Sequence, residues 1–268
     1  MLKVRVISAV LSILLLILVL RIGGWFFDLF LIMVALTGTG EIYNTFDKKG
    51  IHPLKPAGYA AIIFFYVQHL TFNGEHDFLC VLFVTVLILS MIIWKTPAKM
   101  VDIEVTIFGI LYPGFLLSIV ALIKENAFIH PYYLLYLSLT AAYATDTFAF
   151  FVGSILGKNK LCLNISPNKT IEGSIGGLVG GTIMVILLGI VLNWVYNIKV
   201  PIIHFAIIGL LGGIFSQLGD LTASSIKRYC NVKDFGKLIP GHGGIMDRID
   251  SLLFVLPVIY VYAQLFMI

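Results

Sequence analysis

Residues 174–195 read SIGGLVGGTIMVILLGIVLNWV, a run without one charged side chain. At about 1.5 Å per residue, a helix of that length crosses the roughly 30 Å hydrocarbon core of a bilayer. Lipid offers no hydrogen-bond partner to a bare backbone, so such a run is helical there. Similar runs recur along the chain near 6–20, 25–45, 57–72, 78–94, 103–123, 131–152, 202–221 and 249–267, with short polar connections between them. Hydrophobic residues fill 59% of the 268 positions and charged residues only 12%, against about a quarter charged in a soluble domain. So short a chain could not hide that much apolar surface from water. The expected fold is all-α: a polytopic membrane protein of about nine transmembrane helices, with residues 1–268 as one integral membrane domain.

The run from Val6 to Leu20 follows Lys3 and Arg5, as a signal peptide would. It lacks a small-residue cleavage site, because Arg21-Ile22-Gly23-Gly24-Trp25 comes next, and it reads as the first span or as half of a re-entrant pair with the second run. Cys80, Cys162 and Cys230 are scattered without CxxC spacing and read as small apolar fillers. The basic residues set the orientation. With the amino terminus cytoplasmic, the inner segments hold Lys3, Arg5, Lys48, Lys49, Lys55, Lys95, Lys99, Lys158, Lys160, Lys169, Lys227, Arg228, Lys233, Lys237 and Arg248. The outer segments hold only Arg21, Lys124 and Lys199 of the 18, which is the positive-inside pattern. Lys48, Lys49, Lys95 and Lys99 are read as serving topology or anionic lipid. The lipid bilayer is the expected partner, and no nucleic acid is.

Two inner segments concentrate the unusual residues. One is Ser166-Pro167-Asn168-Lys169-Thr170-Ile171-Glu172-Gly173. The other runs from Gln217-Leu218-Gly219-Asp220 through Lys227-Arg228, Lys233-Asp234 and Pro240-Gly241-His242-Gly243-Gly244 to Asp247-Arg248-Ile249-Asp250. Counting residues along the spans puts Asp146, Asp220, Asp247 and Asp250 at one membrane level, toward the inner face. Acids at that depth are costly and are functional candidates. Each has a plainer reading: Asp247 or Asp250 as a helix N-cap, Asp146 as a buried hydrogen-bonding residue, Asp220 as the ion-pair partner of Lys227 two turns on. Acids alone would suit a cation, and bases alone a lipid surface. Both together, beside a glycine-rich turn, suit a divalent metal bound to a polyphosphate. Gly153 to Lys158 departs from the Walker spacing, Asp234-Phe235-Gly236 lacks any kinase context, and His242 reads equally as phosphate donor or turn residue.

These residues resemble the signature of the phosphatidate cytidylyltransferases, or CDP-diacylglycerol synthases: a Ser, then Lys-Arg, Lys-Asp, Pro-Gly-His-Gly-Gly and Asp-Arg-x-Asp. The string here is Ser224/Ser225, Lys227-Arg228, Lys233-Asp234, Pro240 to Gly244 and Asp247-Arg248-Ile249-Asp250. Asp146-Thr147 with Phe150-Phe151-Val152-Gly153, and the stretch Ser166 to Gly173, are similar as well. The resemblance covers the chain from about Asp146, so residues 131–268 are expected to carry the chemistry and 1–130 to supply amino-terminal helices. Ala223 stands where the family often has Glu, and Phe235 where a small residue is usual.

The resemblance implies the reaction of phosphatidate with CTP to give CDP-diacylglycerol and pyrophosphate. The expected mechanism is in-line attack on the α-phosphorus of CTP at the cytoplasmic face of a bacterial plasma membrane. Asp220 and Asp247 are expected to hold magnesium, with Asp250 and Asp146 supporting it or sharing a second cation. Lys169, Lys227, Arg228, Lys233 and Arg248 would neutralise the phosphates, with Ser224, His242, Gly243 and Gly244 at the substrates. The resemblance also implies a homodimer. A cation-coupled transporter, a phosphotransferase acting on another lipid, and an inactive scaffold are the rival readings, and dependence on CTP separates them.

Overall fold

The computed structural model describes residues 2–72, 76–94, 99–125 and 130–267. Lys95 and the side chains of Lys3 and Arg5 lie outside the described residues. Each apolar run read from the sequence falls on a helix. In chain order these are α1 (Leu2–Ile22), α2 (Gly24–Asp47), α3 (Lys55–Phe72), α4 (Asp77–Trp94), α5 (Met100–Gly109), α6 (Leu116–Glu125), α7 (Tyr133–Leu156), α8 (Ile171–Tyr196), α9 (Ile202–Tyr229) and α10 (Met246–Phe266). A π-turn, Ile110–Phe115, joins α5 and α6 into one continuous helix over Met100–Glu125. Among the described residues six helices are long and apolar enough to cross a membrane: α2, the α5–α6 helix, α7, α8, α9 and α10. The protein is therefore an all-α polytopic membrane protein. Large apolar side chains such as Trp194, Ile155 and Phe150 stand exposed on these helices, which water would penalise and lipid would not.

Two features depart from the hydropathy reading. A small antiparallel hairpin, β1 (Lys160–Cys162) with β2 (Ser166–Thr170), occupies what reads as a loop. The helix α9 also runs past the expected span end to Tyr229, so Asp220, Ser224 and Lys227 lie on one helical stripe at intervals of four and three residues.

The chain divides into two compact units. The first comprises Met1–Leu122 and Tyr229–Arg248, the second Ile123–Arg228 and Ile249–Ile268. The core of the first is built on Tyr43, fully buried, whose hydroxyl donates to Thr106 O at 2.7 Å. Pro113 lies inside the π-turn and has no N–H to offer the carbonyl four residues back. That carbonyl, Gly109 O, accepts instead from Thr39 Oγ1 at 3.1 Å, so the irregular turn leaves no polar debt there. Cys230, in the same unit, has its thiol pushed up by burial, which keeps it an inert filler.

In the second unit α7 and α8 approach through small residues. A Cβ at Gly173 would stand 2.7 Å from Ala149 O, and one at Gly177 would stand 2.7 Å from Thr145 O. Backbones this close leave no room for a side chain. Gly177→Val should therefore cost about 1–3 kcal/mol of stability, read as a lowered thermal unfolding midpoint in detergent. Val179→Ala, on an exposed face of the same helix, should leave the midpoint within the error of the measurement.

Candidate functional site

In the second unit α7, α9 and α10 bring three carboxylates within electrostatic reach of one another: Asp146, Asp220 and Asp250. Each is held by groups that lower the cost of a charge at that depth. Asp146 accepts from Ser251 Oγ at 3.0 Å through one oxygen and from Ser216 Oγ at 3.4 Å through the other. Asp220 Oδ2 forms an ion pair with Lys169 Nζ, and its Oδ1 faces Ser224 Oγ at 3.5 Å. Asp250, 7% exposed, accepts the Ser251 amide at 2.8 Å and is attracted by Lys227. The acids expected at one level from helix counting are thus together as far as Asp146, Asp220 and Asp250 are concerned.

Lys169 owes its place to the hairpin. It sits on β2, and the next residue, Thr170, caps α8 by accepting the Gly173 amide at 3.1 Å. In the first turn of α8, Glu172 accepts the Lys158 amide at 3.1 Å and the Asn159 side-chain amide at 2.7 Å, tying the start of the hairpin to the helix. Arg228 Nε reaches the same hairpin from α9, donating to Ile165 O at 3.2 Å. A cavity of about 410 Å³ opens beside this cluster, lined by Asp146, Phe150, Asn168, Lys169, Gln217 and Asp220 among others. Its lining therefore carries two acids and a lysine.

The first unit holds the glycine-rich loop. Asp247 Oδ2 accepts the Phe235 amide at 2.9 Å and the Gly244 amide at 3.0 Å, so this carboxylate closes the loop on itself. Gly241 and Gly243 have φ of 78° and 83°, a left-handed conformation that a side chain would strain. The His242 amide donates to Ile239 O, and Ile239 N donates to Gly243 O, both at 2.9 Å. His242 Nδ1 lies 2.8 Å from Ser8 Oγ, whose proton goes to Pro240 O at 3.0 Å. The Phe235 side chain, an unusual residue at its position, is 2% exposed and fills the core beneath the loop. Ala223 is wholly buried in α9 of the second unit. Lys233 lines a separate cavity in the first unit, and Arg248 follows Asp247 at the start of α10.

Sequence reasoning missed Glu41. It lies in α2, 8% exposed, and accepts the Ile245 amide at 3.0 Å and the Met246 amide at 2.8 Å. These are the first amides of α10, which have no partner within their own helix. Gly236 and Gly244 pack so closely on its carboxyl group that a Cβ at either would collide with it. The one signal in the sequence was a carboxylate inside an apolar run.

Among the described residues no group of three His, Cys, Asp or Glu side chains forms a preformed metal cage. The donor set of the second unit nevertheless fits magnesium, which binds through one or two carboxylates and completes its shell with water and phosphate oxygens. Asp220 with Asp146 beside it, at a cavity bearing Lys169, supplies that minimum.

The family model described as "Cytidylyltransferase family" matches residues 3–266. A phosphatidate cytidylyltransferase of Bacillus subtilis is 47% identical over 124 residues, a match spanning 46% of this chain and 45% of that protein. Longer matches link the chain to the phosphatidate cytidylyltransferase of a Synechocystis species, 32% identical over 97% of this chain and 96% of the relative. The enzyme of that name from Staphylococcus haemolyticus is 32% identical over 96% and 97%.

The Glu41 contact makes a prediction. Glu41→Gln turns an amide N–H toward a backbone N–H, and should cost about 1–3 kcal/mol. Hydrogen exchange at residues 244–246 should accelerate relative to the wild-type protein, while exchange along α8 stays unchanged. Unaltered exchange at 244–246 would remove Glu41 from the loop's support.

Proposed function

Because the chain belongs to the cytidylyltransferase family, we propose that it catalyses the reaction of CTP with phosphatidate to give CDP-diacylglycerol and pyrophosphate. A non-bridging oxygen of the phosphatidate phosphate attacks the α-phosphorus of CTP. The bond from that phosphorus to the oxygen bridging toward the β-phosphate breaks, and its electron pair leaves with pyrophosphate. No covalent enzyme intermediate is needed, since phosphatidate supplies the nucleophile. Such a reaction asks of the protein mainly positioning and neutralisation of charge.

The observation that carries the reading is the convergence of Asp146, Asp220 and Lys169 at a cavity of about 410 Å³, with Asp250 within electrostatic reach of both acids. Acids with a base at membrane depth match two anionic substrates better than either charge alone would. The clustering supports Asp220, with Asp146 and Asp250, as ligands of magnesium, and a second cation could share them. Asp247 is assigned to a metal from the signature alone. When bound, the ion would offset repulsion between the two substrates and stabilise charge on the leaving pyrophosphate. Lys169, Lys227, Arg228, Lys233 and Arg248 are assigned to the phosphates, and Ser224 to orienting Asp220 through its 3.5 Å contact. His242, whose Nδ1 lies 2.8 Å from Ser8 Oγ, is assigned to a substrate phosphate.

The same reading includes nine crossings, with α1, α3 and α4 spanning alongside those six helices. It places the amino terminus and the site on the cytoplasmic side of a bacterial plasma membrane, where soluble CTP and the phosphatidate headgroup both arrive. The protein is taken to act as a homodimer.

Pyrophosphate release from the full chain, purified in detergent and given phosphatidate, CTP and magnesium, tests the reaction. Turnover should need all three components and fall at least about 100-fold in Asp220→Asn and in Asp247→Asn. Absence of release from folded protein, or release without phosphatidate, would exclude the reaction.

A further inference from the structure

The first unit contains a cavity of about 780 Å³ bounded by α2, α3 and residues 232–238. Its lining changes character along α2. Leu36, Thr37 and Gly40 lie within the helix, whereas Lys48 stands at its carboxyl end. Thr37 and Lys48 are separated by about 16 Å of helix rise. Lys233 and Lys237 line the cavity as well, and the acids facing it are Asp234 and Glu41. Both Glu41 oxygens are already engaged by backbone amides. The cavity thus has three lysines against one uncommitted acid, and an apolar stretch with the hydroxyls of Thr37 and Tyr59.

A wall that runs from apolar to cationic along α2, with two further lysines in the lining, matches an amphiphile with a phosphate head in a cavity of that size. Lysines at a membrane surface ordinarily need no ligand to explain them, because they set topology and attract anionic lipid. Here a cavity lies behind them, and it shares Lys233 with the signature. We propose that this cavity binds a phosphomonoester lipid, with Lys48 and Lys233 on the phosphate and the stretch at Leu36 and Thr37 along the first part of its acyl chains. The proposal rests on the function above, in which such a lipid is the substrate. It gives the amino-terminal half, where the signature is silent, a part in selecting the lipid.

The test uses the full chain in phosphatidylcholine vesicles with a photoreactive phosphatidate carrying a diazirine near its glycerol end. Label should map to residues 36–59 and 232–238, and unlabelled phosphatidate should compete for it while phosphatidylglycerol does not. Thr37→Trp, which fills the apolar stretch, should abolish the label. Lys48→Glu should raise KM for phosphatidate about tenfold and leave KM for CTP within about twofold, with Lys48→Arg restoring the wild-type value. Label elsewhere, label that survives Thr37→Trp, or equal competition by phosphatidylglycerol would overturn the proposal, the last by showing general attraction of anionic lipid. Should Thr37→Trp not fold, the Lys48 pair decides alone. A wild-type protein that takes up the label with the expected competition but releases no pyrophosphate would keep the cavity and discard the reaction.

Discussion

A carboxylate placed within a membrane helix must find partners inside the protein, because lipid supplies none. Both units of this protein are arranged around that constraint. In the second, Asp146, Asp220 and Asp250 draw in Ser216, Ser251, Lys169 and Lys227 from other helices and from the hairpin. In the first, Glu41 takes the opening amides of α10, and Asp247 closes the loop that precedes it. Asp247 takes its partners 3 and 12 positions away, but Glu41 and Asp146 take theirs from distant segments and so help fix which segments meet.

The two units use their acids differently. Glu41 is occupied on both oxygens by backbone and packed against glycines, which makes it a fixed part of the loop's scaffold. Asp146 and Asp220 face a cavity, where a cation and phosphate oxygens can complete their surroundings. Lys169 beside Asp220 balances part of that charge.

Much of this was legible in the sequence, for identifiable reasons. The helices follow from the lengths of the apolar runs, because the bilayer imposes one length on all of them. Asp146 and Asp220 stood out as acids within or ending such runs. The hairpin was not legible: its strands are three and five residues long, and Ser166-Pro167-Asn168 carries none of the alternation that marks a strand. Glu41 could be noticed but not interpreted, since its partners lie 204 and 205 positions away. The glycine turn read as a source of bare amides for phosphate. The Gly244 and His242 amides are instead bonded within the loop, and Gly241 and Gly243 serve its left-handed turns.

The central claim is that the acids around Asp220 recruit nucleotide through a divalent cation. Equilibrium binding of CTP to the purified protein without lipid, with and without magnesium, addresses it most directly. The account predicts that magnesium tightens CTP binding at least about tenfold in the wild-type protein and has no effect in Asp220→Asn. Equal CTP affinity in both proteins, with magnesium making no difference to either, would contradict it.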